Sequence, residues 1–142
     1  MALFFFGILY FSWTMLYGIS TLSISKNPGA FTVNSAIAGQ QPSTLTDTSS
    51  TYSYTTSATI TVITGALNSN MPSGVTLTAQ LAAGTGATSL GLVTMTTTTQ
   101  NLVTGIPSHS AGSLLTITYN FTATVSAAQT TNATRTLTLT LQ

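Results

Sequence analysis

Asp47 is the one carboxylate side chain of this sequence, His109 its one imidazole, and Lys26 and Arg135 its only bases; glutamate and cysteine are absent. A serine triad would need His109 and Asp47 beside one of the many serines. Both fall in stretches that read as loops, and chance explains one residue of each type more simply than a catalytic design does. Paired carboxylates are impossible, which removes the usual glycosidase and aspartic-protease arrangements. A zinc site lacks thiolates and a second imidazole, and calcium would have to rest on Asp47 with carbonyl oxygens alone. Gly84-Thr85-Gly86 is a turn without the flanks of a phosphate loop. No catalytic, cofactor-binding or metal-binding residue is assigned, and the chain reads as non-enzymatic.

Other groups could hold a ligand or a modification. Tyr52 and Tyr54 share one strand face, so they read as core residues first and as a sugar-stacking platform second. Asn120-Phe121-Thr122 and Asn132-Ala133-Thr134 match N-glycosylation acceptors, a match that also arises by chance in a threonine-rich chain. Repeated T-x-T steps, at Thr59/Thr61, Thr116/Thr118 and Thr136/Thr138/Thr140 among others, suit a solvated sheet face. A flat threonine array of the ice-binding kind is the sharper alternative, disfavoured because ordinary sheets twist.

Charged residues make up 2% of the chain, where about a quarter is usual. Threonine fills roughly a fifth of the chain instead. Two basic residues cannot neutralise a phosphate backbone, so nucleic acid is excluded as a partner. A net charge of +1 offers little repulsion between copies, and copies of the chain itself become the first partner to consider. Without cysteine there is no disulfide framework, although a domain with a 43% apolar composition needs none.

The elements that must position these residues read as strands. From Leu115 the odd positions are Leu115, Ile117, Tyr119, Phe121, Ala123 and Val125, and the even positions are Thr116, Thr118, Asn120, Thr122 and Thr124. That alternation predicts a long central strand over residues 113–125, apolar on one face and hydroxyl-lined on the other. A second long strand is expected over 52–64, a third over 75–81, and shorter ones over 90–99, 102–106 and 134–141. Residues 36–51, rich in Gln, Ser and Thr, read as the longest loop, with Asp47 inside it. His109 falls in a turn over 107–112. About seven or eight strands between turn clusters predict an all-β fold, an antiparallel immunoglobulin-like β-sandwich. No internal repeat supports a solenoid.

Residues 2–19 are almost continuously apolar and predict a signal peptide spanning 1–20, cut before Thr21, with the β-sandwich domain over 21–142. A retained membrane anchor or pilin-type assembly helix is the alternative. Removal of the leader would leave Leu22 and Ile24 alternating on a free arm, a candidate donor or edge strand, with a turn at Asn27-Pro28-Gly29 behind it.

The phrases I-T-G-A-L-N-S-N-M-P-S-G-V-T-L-T-A from Ile63, N-L-V-T-G-I from Asn101, L-T-I-T-Y-N-F-T-A-T from Leu115 and T-R-T-L-T-L-T-L from Thr134 carry a resemblance to small secreted β-sandwich proteins of bacterial surfaces, over residues 59–142. Leu141 and Gln129 stand where chaperone-assembled fimbrial subunits usually carry tyrosine and glycine. The resemblance implies a fimbrial or surface-layer role with no catalytic residues. The expectation is an extracellular or cell-surface structural subunit that self-associates through strand edges and meets the membrane only through its leader during export. The rival is an adhesin or carbohydrate-binding module that takes surface glycans through Tyr52, Tyr54 or the 36–51 loop.

Overall fold

The computed structural model describes residues 19–33, 44–57, 62–125, 127 and 134–142. All the regular structure in them is β, with no helix. Nine strands, β1 (Thr21–Ile24), β2 (Leu45–Thr55), β3 (Val62–Leu67), β4 (Val75–Leu81), β5 (Thr88–Ser89), β6 (Val93–Thr94), β7 (Gln100–Thr104), β8 (Ala111–Ala123) and β9 (Leu137–Leu141), form two antiparallel sheets. One runs β1-β2-β8-β4-β6 and the other β5-β7-β3-β9.

β8 is the central plank, bonded to β2 on one side and β4 on the other. Its alternation works as the residues require. Ile117, Tyr119 and Ala123 are buried, while Thr116 is exposed. The expected reach to Val125 fails, because the chain turns just after Ala123: Ala127 N–H bonds Thr124 O, and Val125 is exposed.

The pairing is nested. β2 pairs with β8, β3 with β7 and β4 with β6, all antiparallel, leaving β5 at the tip. From β2 onward each strand lies in the sheet opposite to its predecessor. This is one long hairpin rolled across two sheets and closed by the β4·β8 and β5·β7 ladders, the winding of a jelly roll. An immunoglobulin-like order sets several consecutive strands side by side; here, among the described strands, β1 and β2 are the one consecutive pair sharing a ladder.

The two inner faces share one core. Tyr52, Tyr54, Ala79, Leu81, Ile117 and Tyr119 enter from the first sheet, and Ile63, Leu67, Leu102 and Val103 from the second. Met95 and Ile106 add to it from the connections. The arrangement is that of a β-sandwich, held by burial of apolar area between the sheets.

Three expectations change. The expected 36–51 loop contains the first half of β2, since Leu45 to Thr51 pair along β8. A bulge between Asp47 and Ser50 breaks the two-residue period there, which hides the strand from a periodicity argument. The single strand expected over 52–64 belongs to two sheets: Tyr52 to Thr55 close β2, and Val62 to Thr64 open β3. Ala58 and Ile60 lie outside the described residues. Of the strand expected over 90–99 only β6, Val93–Thr94, forms; Gly91 at φ 75° separates it from β5, which ends at Ser89, before the expected span. Met95 nonetheless points inward, as its phase predicts.

Candidate functional site at the sheet edges

Asp47 and His109 are far apart. Asp47 pairs with Tyr119 near one end of β8, and His109 sits in the turn before Ala111 at the other. Some eight strand residues at about 3.3 Å each put them roughly 25 Å apart, too far for a triad. Asp47 has a local task instead. Its Oδ1 accepts from the Ser49 N–H and hydroxyl, both at 2.8 Å, and its Oδ2 accepts from Gly29 N–H at 3.1 Å. These bonds, Ser49's first, hold its carboxyl below the usual carboxylate range. They pinch the β2 bulge and tie the segment after β1 to the first sheet. Phe31 of that segment stacks on Phe121, centroids 5.4 Å apart. His109 is exposed at φ 53°, in a turn held to Thr56 by Ser110. Arg135 donates to Asn70 O and Thr134 O. No group of three or more metal-ligating side chains occurs among the described residues.

Tyr52 and Tyr54 are each 1% exposed and stack on one another inside the core, centroids 6.2 Å apart. Burial makes core packing the better of the two readings for this pair, since neither ring shows a face to solvent. The Tyr52 hydroxyl donates to Ala82 O. The Tyr54 hydroxyl and the Ser50 hydroxyl are buried without a partner. Burial, then the neighbouring Tyr54, pushes the Tyr52 phenol well above its usual range; burial also raises Tyr119.

Asn120 lies on the outer face of the first sheet, in register with Thr46 and Thr78, with Thr94 beyond. The Thr46 hydroxyl donates to Asn120 Oδ1 at 2.8 Å. Thr76 and Thr122 make the next row. The face is therefore a continuous uncharged array of hydroxyls and amides. Asn132, the second sequon, and residues 1–18 of the expected leader lie outside the described residues.

What remains as a site is the set of edges. On one flank the edges are β5 and β6, two residues each, too short to template another strand. On the other flank β1 and β9 lie near one another at the edges of their sheets. β1 docks on its own chain, with Leu22 opposite Tyr54 and Ile24 opposite Tyr52. Leu22 packs against the core while Ile24 stays 42% exposed. Ser25 N–H bonds Thr51 O, so in the alternating ladder the backbone groups of Leu22 and Ile24 face away from β2.

β9 behaves likewise. Val62 and Gln142 exchange both backbone bonds, and Asn68 N–H bonds Thr136 O. Phase then turns the backbone N–H and C=O of Leu137, Leu139 and Leu141 outward. Their side chains pack on the core, and those of Thr138 and Thr140 are exposed. The sequence shows β9 as a strand but carries no signal that it is an edge, because strand order is a property of the whole winding. Neither β1 nor β9 contains a charged residue, a proline or a bulge, the usual devices that blunt an edge. Comparison with protein-family models, with curated proteins and with solved structures finds no match to this chain.

Proposed function

We propose that this chain is a non-enzymatic extracellular structural protein, a cell-surface or filament subunit that self-associates through the edges of its sheets. The observation that carries the reading is the flank where β1 and β9 present outward backbone groups with no charge to repel a second strand. Composition supports it, since a surface with so few charges gives copies little reason to stay apart. The β1 arm adds a route to a chain of subunits. If the arm leaves its place beside β2 and a neighbour's arm fills it, the same contacts form between copies, and a head-to-tail exchange that does not close produces a filament. The adhesin reading loses its aromatic platform through the burial of Tyr52 and Tyr54.

Export is the part tested first. Mass spectrometry of the chain recovered outside producing cells should show a mature N-terminus near Thr21. Chain retained inside the cells would contradict the extracellular reading, and an intact Met1 on exported material would replace the cleaved signal by a retained assembly segment. A glycan array on the same material should show no reproducible binding.

A further inference from the structure

We infer that β9 is a two-fold pairing edge, and that its occupant is the β9 of a second copy of this chain. This rests on the self-association proposed above and names the surface that performs it. The outward groups of Leu137, Leu139 and Leu141 are alternate donors and acceptors along one edge, and no hydrogen bond from them reaches another described residue. An antiparallel copy laid against them meets groups of the same spacing. With Leu139 opposite Leu139 of the second copy and Leu137 opposite Leu141, all five residues of the strand overlap. Each of these pairs is then of the kind that exchanges two backbone bonds.

The same register satisfies the side chains. Leu137, Leu139 and Leu141 lie on the inner face, each only partly covered by its own sandwich, so pairing continues the apolar row from one molecule into the next. Thr138 comes opposite Thr140 on the outer face, a neutral pair of β-branched side chains. No charge lies within the overlap, and Arg135 stands before it, engaged with Asn70 and Thr134. A partner strand carrying charge would find no counter-charge on β9, whereas an uncharged strand with the same alternation fits, and β9 itself is such a strand. The product is a continuous sheet of eight strands across the two-fold, four from each copy. Such a pair closes on itself. A filament then needs the second contact that β1 exchange supplies.

The register is tested by cross-linking in a chain that has no native cysteine. Full chain carrying Thr138→Cys is mixed with full chain carrying Thr140→Cys under mild oxidation and run on a non-reducing gel. The expected result is a disulfide-linked dimer in the mixture and almost none from either variant alone, because each residue opposes the other and lies diagonal to itself. Equal cross-linking in all three samples, or none in the mixture, overturns the pairing. In parallel, Thr138→Lys with Thr140→Lys should weaken dimerisation by about tenfold or more at low salt, because like charges then oppose each other. Adding a chain with Thr138→Glu and Thr140→Glu should restore it. Both positions are exposed, so an unchanged melting temperature confirms that the fold survives. Dimerisation untouched by the lysine pair overturns the β9 edge while leaving self-association standing. A cross-linked dimer without any larger assembly leaves the edge standing and removes the filament.

Discussion

Tyr52 and Tyr54 stand two residues apart in one core, yet their hydroxyls are in opposite situations. The Tyr52 hydroxyl reaches Ala82 O, so Tyr52→Phe removes a hydrogen bond and strands a carbonyl. That change should lower stability by about 1 kcal/mol. The Tyr54 hydroxyl is buried without a partner, and Tyr54→Phe should raise stability by about 1 kcal/mol. Urea unfolding of the two variants checks the signs, which should differ. The raised Tyr52 and Tyr119 phenols give a pH dependence as well. Above about pH 10 the unfolded chain loses tyrosine protons that the folded chain still holds, so unfolding is favoured and stability falls as pH rises. Melting temperatures from pH 8 to 11 should decline at the alkaline end, and less steeply in Tyr52→Phe. The inward phase of all three tyrosines was legible in the sequence, because it follows from two-residue alternation. Which hydroxyl finds an acceptor was not, since Ala82 is brought to Tyr52 only by the packing of the rolled strands.

At the scale of elements, the β1 arm is the least anchored strand of the first sheet. It contributes Leu22 to the core and one side of its ladder, with Ile24 left partly in solvent. Deleting residues 21–25 should lower the melting temperature by about 5 °C, the equivalent of roughly 1–2 kcal/mol in a domain of this size. An unchanged melting temperature would mean that the docked arm adds nothing to stability. The turn into β4 is more sensitive. Gly74 has φ 77°, and a Cβ there would lie 2.6 Å from Thr124 Oγ1 and 2.9 Å from the Ala127 backbone. Gly74→Ala should cost about 1–3 kcal/mol, read from the shift in a urea midpoint. Strands with clean alternation, β4, β8 and β9, were legible from their residues. The first half of β2 was not, because the Asp47 bulge shifts its phase and places Ser50 in the core where a hydrophobe would announce a strand. The 90–99 stretch is the opposite case: its apolar residues suggest one strand, but Gly91 turns the chain and leaves Leu90 and Leu92 exposed, and only Val93–Thr94 pair.

Over the whole molecule, the nested pairing of β2 to β8 decides what is covered and what is left open. It places the two-residue strands β5 and β6 on one flank and the longer β1 and β9 on the other. Alternation in sequence predicts a sandwich, but strand order arises from long-range pairing, and so the open flank was beyond its reach. Near-neutrality was legible from composition alone, and it leaves the open flank without the charges that commonly block strand addition. If copies of this chain build the proposed extracellular assembly, electron microscopy of the extracellular fraction of producing cells, with antibody labelling of the chain, will reveal it. The expected images show filaments or sheets that carry the label and are lost when residues 21–25 are deleted. Labelled chain found only as dispersed single molecules outside the cells, or only within them, would contradict it.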